Sequence, residues 1–373
     1  MKVALVYDRV TKWGGVERVL LALHQLWPEA PLFTAVYRPQ TASWAEVFQI
    51  KTSFLQHWPL AKSHHEFYPW LTPLAFESFN FDKYDVVISV TSAEAKAIIT
   101  KPATLHICYC LTPTRYLWSH QKRYFKRPGL AGFSQLGRQV FKLLSPPMRS
   151  WDKLAAQRPD VYLAISKVVQ QRIKKYYHRN SRVIYPGIDS KQFSTKRYSL
   201  NVKPYFLIVS RLVPYKNIDL AIKTCNQLKT NLKIIGVGRE EKYLKGLAGP
   251  TIQFLGQLGE QELIAYYQNC QALIIPGEED FGLVALEAQA AGKPVIALAA
   301  GGAKETIISE QTGLFFSRPK TVDLVQALIR FDKMAPNKFK LACQQNAQRF
   351  ALTIFKTKFK NKVEELWQQH QTF

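Results

Sequence analysis

The chain has 373 residues, 47% of them apolar, enough to bury two separate cores. A net charge of +24, from 51 Lys and Arg against 27 Asp and Glu, draws phosphates without choosing among nucleic acid, anionic lipid and phosphorylated small molecules. Five scattered cysteines exclude a disulfide framework and paired zinc knuckles, and no run approaches the ~20 apolar residues of a membrane span.

From Met1 the chain runs straight into the strand "KVALVYD", too short for a signal-peptide core, so a cytoplasmic protein with reduced thiols is expected. Further strands read as "PLFTAVY", "DVVISV", "LHICYC", "DVYLAIS" and "RVIYPG" in the first half. In the second they are "YFLIVS", "LKIIGVG", "IQFLGQL", "ALIIPG", "PVIALAA" and "GLFF". Helical periodicity separates nearly all of them, the pattern of parallel sheets with crossover helices. Both halves open as strand, polar loop and amphipathic helix, so two similar α/β domains are expected. The join falls near residue 198, where a Pro-Gly turn and a lysine-rich stretch interrupt the alternation. That gives residues 1–198, residues 199–355, and a last helix over 356–373 that packs back on the first domain.

Two stretches stand apart. Residues 121–150 carry seven basic side chains and no acid, with Phe133, Leu136, Val140 and Leu144 on one helical face. This is either a membrane-binding amphipathic element or a solvated basic face over an ordinary core stripe. The aromatic-rich residues 63–79 are either an acceptor or membrane loop or a packed connection.

Ligands of open parallel sheets sit at the carboxyl ends of the strands. Four loops there carry unusual residues. In "RVTKWGGVERV", Gly14 and Gly15 let backbone approach a ligand at a helix start, or only make a turn. In "SRLVPYKN", Arg211 and Lys216 flank a proline turn and can reach one anion. In "IIGVGRE", Gly236 and Gly238 allow close passage of a nucleotide or simply turn the chain.

The fourth loop, "PGEEDFGLVALEAQAAG", puts Glu278, Glu279 and Asp280 before a helix expected from Phe281 to a glycine cap at Gly292. The amides of Phe281, Gly282 and Leu283 then face an anion. Gly282 would cost about 1 kcal/mol inside a helix. Glu287, among small residues, needs a partner that nucleoside hydroxyls would supply.

"SRLVPYK", "GVG", "EDFGLVALEAQAAGKPVIA", "GGAKETI" and "TGLFF" closely resemble the family 4 retaining glycosyltransferases of the GT-B fold. "YDRVTKWGGVERVL", "DVVISVTSAEAKAI", "CYCLTPTRYLW" and "AAQRPDVYLAISKVVQQRI" resemble their branch of bacterial mannosyltransferases of polysaccharide assembly.

The resemblance implies an α/β fold of two Rossmann-like domains with parallel sheets facing across a cleft, the first for the acceptor and the second for a nucleotide sugar. It gives Arg211 and Lys216 to the donor diphosphate, Glu279 to hydroxyls of the donor sugar, and the amides around Phe281, Gly282 and Leu283 to sugar or phosphate. Glu287 would take the ribose, Gly14 and Gly15 would face the diphosphate, and Gly238 would lie along the donor. Leu111, Thr112 and Arg115 would form a loop near the sugar or acceptor; Leu111 stands where related sequences commonly carry histidine. No metal and no cofactor are implied.

The expected donor is GDP-mannose or a UDP-sugar. The expected acceptor is a lipid-linked or growing glycan on an anionic membrane, with the protein peripheral on the inner face of the plasma membrane. A GT-B epimerase and a catalytically weakened nucleotide-sugar-binding subunit stay open as alternatives. Nucleic acid is not an expected partner, because the basic residues are dispersed and no recognition motif occurs.

Overall fold

Val3–Tyr7 (β1) is buried at all five positions, as a central parallel strand covered on both faces must be. The computed structural model describes residues 1–62, 68, 70–119, 121, 134–193, 198–200 and 202–372. Of the amphipathic element, Lys122 to Phe133 and the side chains of Leu136, Arg138 and Val140 lie outside what is described. So do Ser63–Phe67 and Pro69 of the aromatic-rich stretch.

After β1, the first unit continues with Gly15–Leu26 (α1), Leu32–Thr34 (β2), Ile50–Thr52 (β3), Leu71–Glu77 (α2), Val86–Thr91 (β4) and Leu105–Cys110 (β5). Ser134–Ala155 (α3), Val161–Ala164 (β6), Lys167–Tyr177 (α4) and Arg182–Val183 (β7) complete its alternation. The second unit has Phe206–Val209 (β8), Ile218–Leu228 (α5), Leu232–Ile235 (β9), Glu241–Leu247 (α6), Ile252–Gly256 (β10) and Glu260–Asn269 (α7). Leu273–Ile275 (β11), Leu283–Ala290 (α8), Val295–Leu298 (β12), Ala303–Thr306 (α9), Gly313–Phe316 (β13), Thr321–Asp332 (α10) and Lys340–Gln348 (α11) follow, and then Leu352–Gln371 (α12).

The strands form two sheets, ordered β3-β2-β1-β4-β5-β6-β7 and β10-β9-β8-β11-β12-β13. Every described strand pair is parallel. In each sheet the chain winds outward in one direction and then reverses. The reversal lies between β1 and β4 in the first and between β8 and β11 in the second. These switch points are where crevices open at strand ends.

Strand β3 was not foreseen. It is a three-residue, half-buried edge strand, and its polar Lys51 and Thr52 mask the apolar run that marks the buried strands.

The units comprise residues 1–185 with 355–373, and residues 186–354. The sequence put the join near residue 198, on the visible polar stretch. The chain joins the second unit earlier because Phe193 is already packed on Tyr267, ring centroids 5.8 Å apart, and its carbonyl accepts from Gln268. At the other end, Phe355 and Phe359 of α12 pack on Tyr109, and Phe359 also meets Trp27, all within the first unit.

One fully buried ion pair braces the first unit. Lys96, after β4, meets Asp152 of α3 at 2.6 Å, each about 1% exposed. The same carboxylate accepts from Thr114 Oγ1 at 2.9 Å and Trp118 Nε1 at 2.7 Å, so α3 is tied to the loop after β5.

His106 in β5 is also buried, its Nε2 2.8 Å from Ser89 Oγ and its Nδ1 unpartnered. Burial, and then the positive Arg158 and Arg179, lower its pKa from 6.5 to about 3. Below pH 6.5 the unfolded chain therefore binds a proton that the folded chain refuses, so this stability is present above pH 6.5 and is lost as the pH falls toward 3. Urea titrations between pH 6 and pH 5 should lose up to about 1.4 kcal/mol per pH unit from this group, and His106→Gln should flatten that slope.

Candidate functional site

In the second unit, the loops after the neighbouring strands β8 and β11 meet at the switch point. The first carries Arg211, Pro214, Tyr215 and Lys216; the second is "PGEEDFG", residues 276–282. A side chain at Gly277 would start 2.7 Å from the Tyr215 carbonyl oxygen and 2.8 Å from Lys216 Cα, so the loops touch backbone to backbone.

Lys216 Nζ lies 2.5 Å from Glu279 Oε1, with the side chains 13% and 15% exposed. The ammonium is also 5.5 Å from the centre of the Tyr215 ring, and Arg211 donates to the Tyr215 hydroxyl at 2.6 Å. Both expected cations thus gather on one tyrosine that the sequence reading did not single out. Arg211 is exposed, whereas Lys216 is half-buried against its carboxylate.

Glu279 is fixed by its backbone. It pairs with Gly301 as an isolated bridge, and its carbonyl accepts from Gly302 N at 2.7 Å. A Cβ at Gly301, whose φ is +63°, would lie 2.2 Å from that carbonyl oxygen. Glycine here holds the acidic loop down.

The helix starts later than expected. Gly282 takes φ +94°, a left-handed conformation that permits the sharp entry into α8, and the first helical residue is Leu283. Gly282 therefore carries no penalty as an interior helix glycine. Phe281 precedes the helix, its ring buried 5.7 Å from that of Phe350. Gly292 follows the helix end at φ +77°, as expected of a cap.

Glu287 sits one turn into α8 and is 5% exposed. It has an internal partner: Tyr267 of α7 donates to Oε2 at 2.7 Å. Ligand hydroxyls were the expected partner of Glu287, but the spacing of buried Ile264 and Tyr267 in "ELIAYYQN" also puts a phenol on the inner face of α7. From the other side of α8, Gln289 donates to the Thr306 carbonyl and accepts from Asn346 at 2.6 Å, which clamps the helix to α9 and α11.

Gly238 has a structural reason. A Cβ there would lie 2.4 Å from the Leu212 carbonyl oxygen, so the glycine lets the loop after β9 press on that after β8.

The remaining candidates belong to the first unit. Gly14 caps α1 in an extended conformation, and a Cβ on it would reach 3.0 Å from Glu17 Oε2. Glu17, buried and bonded to the Tyr7 hydroxyl at 3.0 Å, was not foreseen. Gly15 is the first residue of α1.

In the loop after β5, Leu111 and Thr112 are buried and Arg115 is half-buried. Thr112 accepts from Arg172 at 3.2 Å. At this unit's own switch point, Asp8 accepts from Thr91 Oγ1 at 2.6 Å, Ser92 N at 2.8 Å and Ala95 N at 2.9 Å. Arg9 pairs with Glu94 at 2.8 Å. All five cysteines are buried and unbridged, and among the described residues no cluster of three or more His, Cys, Asp or Glu could hold a metal.

Residues 190–350 match the family model described as glycosyl transferases group 1. The chain is 31% identical over 222 residues to a GDP-mannose-dependent monoacylated alpha-(1-6)-phosphatidylinositol monomannoside mannosyltransferase of Corynebacterium glutamicum, covering 52% of this chain and 58% of that one. It spans about half the length of the curated relatives it matches.

Among solved structures, sucrose-phosphate synthase from Thermosynechococcus elongatus superposes with a TM-score of 0.73 at 18% identity, over 99% of this chain and 100% of that one. HepE of Anabaena, in complex with UDP and glucose, gives 0.71 at 19% identity over 98% and 99%. The fold is GT-B, and the chain resembles bacterial mannosyltransferases.

The glycines at the site are testable against one that is not. Gly301→Ala, forced into a left-handed conformation against the Glu279 carbonyl, should lower the unfolding free energy by about 1–3 kcal/mol. Gly246→Ala, in α6 with nothing within 4 Å of the new Cβ, should raise it by about 0.5–1 kcal/mol. Denaturant unfolding of the two variants reads both signs.

Proposed function

We propose that the chain is a retaining glycosyltransferase that moves mannose from GDP-mannose to a lipid-linked or growing glycan without a metal ion. The observation that carries this reading is the Lys216–Glu279 pair at the switch point of the second unit, with Arg211 beside it. A diphosphate needs cations, a sugar needs a hydroxyl acceptor, and here both stand at one loop junction.

In this reading the donor diphosphate takes Lys216 and Arg211. That releases the Glu279 carboxylate to accept from hydroxyls of the donor sugar. The amides at the start of α8 add partial positive charge from the helix end. The bond from the anomeric carbon to the phosphate oxygen breaks, and its electron pair stays on the departing nucleoside diphosphate. Lys216 and Arg211 neutralise that growing charge, as a metal does elsewhere. The acceptor oxygen bonds to the anomeric carbon on the same face and gives its proton to the leaving phosphate, so no protein base is assigned.

The likeness to a GDP-mannose-dependent enzyme supports mannose as the transferred sugar, while the likeness to HepE in complex with UDP and glucose makes UDP-sugars the comparison donors. Charge supports an acceptor on anionic lipid. Residues 1–185 with 355–373 hold 30 Lys and Arg against 13 Asp and Glu, a net +17. Residues 186–354 hold 21 against 14, a net +7, and the two make up the chain's +24. No described helix is long and apolar enough to cross a membrane, so we assign peripheral attachment at the inner face of the plasma membrane. Leu111 offers no polar group in the acceptor loop, which favours, as the second reading, a donor-binding subunit without turnover.

Incubated with labelled GDP-mannose, labelled UDP-sugars and bacterial lipid extract in EDTA, the protein should transfer mannose to lipid. Glu279→Ala should reduce that rate at least a hundredfold. Donor binding without transfer or hydrolysis for any of these sugars would select the second reading.

A further inference from the structure

The first unit has an open groove of about 490 Å³ at the outer edge of its sheet, and the reading so far does not use it. Tyr37, Glu46, Phe48, Ile50, Thr52 and Gln56 line it. Its volume is that of a small-molecule site, and such sites join apolar and aromatic walls to a few polar groups that fix orientation.

Strand β3 builds one wall. Alternation puts Ile50 and Thr52 on the groove side, while Lys51 turns to the other face, its ammonium 5.2 Å from the centre of the Phe33 ring. Tyr37 is held from two sides: its backbone bridges to Val10, and the Gln56 side chain accepts from its amide at 2.8 Å and donates to its carbonyl at 3.1 Å. The backbone is fixed, and the phenol is left to meet a ligand. Among the described residues, no hydrogen bond occupies the Tyr37 hydroxyl, the Thr52 hydroxyl or the Glu46 carboxylate. Burial, and then the neighbouring Glu46, push the Tyr37 phenol up from its ordinary value of 10.0, so it stays a donor at neutral pH beside an acceptor.

Aromatic rings continue from the groove toward the unit's switch point. Phe48 meets Trp44 at 6.1 Å, and Trp44 meets Trp13 at 6.2 Å between centroids. Trp44 Nε1 donates to the Lys12 carbonyl at 2.9 Å and Thr41 Oγ1 to the Thr11 carbonyl at 2.7 Å, so this segment is pinned to the loop after β1. Trp13, 40% exposed, directly precedes Gly14. The row of rings thus leads from the loop after β1 to a groove at β3, two strands and about 10 Å further out.

A pyranose carries C–H groups on its faces and hydroxyls around its rim, so aromatic rings beside hydroxyl partners match it. Charge separates a sugar from a phosphate. Glu46 is the one charged side chain among the described residues that line the groove, in a unit whose net charge is +17. A carboxylate accepts from hydroxyls and repels a phosphate or an anionic lipid headgroup.

We propose that this groove is a second glycan subsite: it binds an uncharged sugar of the acceptor, remote from the one that receives the new residue, with Glu46 and Tyr37 as its hydroxyl partners. The acceptor is then an oligosaccharide already begun and not a lipid bearing a single sugar. This identity of the acceptor rests on reading the chain as a glycosyltransferase; the binding of a glycan does not.

The test is calorimetric titration of the whole protein with neutral trisaccharides of mannose, glucose and galactose, their monosaccharides, dihexanoyl phosphatidylglycerol, GDP and UDP. At least one trisaccharide should bind more tightly than its monosaccharide. Tyr37→Phe should weaken it, and Glu46→Ala should weaken it about tenfold, the loss of one hydrogen bond to a charged group. Both variants should bind the diphosphates as the native protein does, which shows them folded.

A native protein that binds the diphosphates and none of the trisaccharides overturns the groove and leaves the glycosyltransferase reading intact. Trisaccharide binding unchanged in both variants also overturns it. A trisaccharide displaced by phosphatidylglycerol at like concentration overturns the choice of an uncharged sugar. Trisaccharide binding lost in the variants of a protein that neither binds nor transfers any nucleotide sugar keeps the groove and overturns the glycosyltransferase reading, and the acceptor's identity with it.

Discussion

The pairing of Lys216 with Glu279 is the constraint on which the rest of the site depends. It joins the loops after β8 and β11 at the one place where the second sheet reverses its winding. Three acids in a row, Glu278, Glu279 and Asp280, would repel any phosphate brought to the start of α8. A cation must stand among them, and the chain supplies it from the neighbouring strand. The glycines follow from this requirement. Gly277 allows the two loops to touch, Gly301 and Gly302 hold the acidic loop from the other side, and Gly282 turns it into the helix.

The two units use ion pairs differently. Lys96 and Asp152 in the first are about 1% exposed and bonded further to Thr114 and Trp118, so the pair is permanent structure. Breaking such a pair leaves an uncompensated buried charge. Lys216 and Glu279 are 13% and 15% exposed, and the lysine is shared with the face of Tyr215. Water or an anion can reach that pair, so it can exchange partners without burying a lone charge. On the proposed function, a site that accepts and releases a charged donor needs this second kind of pair.

Much of the fold was legible because buried parallel strands leave continuous apolar runs, such as "VVISVT" and "LHICYC". The strand that escaped, Ile50–Thr52, is at an edge and half polar. Residue chemistry was legible where it broke a local expectation, as Glu287 does among small residues. What stayed hidden were the partners. Tyr267 lies 20 residues from Glu287 and Lys216 lies 63 from Glu279, so only the folded chain pairs them. Backbone conformation was hidden as well: Gly282 looked like a helix glycine and is a left-handed entry to the helix. At Gly238, expected either to let a nucleotide pass closely or simply to turn the chain, the hidden feature was the backbone of Leu212, which itself leaves no room for a side chain.

The central claim is that Lys216, paired with Glu279 in the free protein, is the donor's phosphate anchor. The most direct measurement is the affinity of the Lys216→Met protein for a nucleoside and for its diphosphate, compared with the native chain. The account predicts that diphosphate binding falls at least tenfold while nucleoside binding is unchanged, since Glu287 and its helix are untouched. Equal affinity of the two proteins for the diphosphate would contradict it.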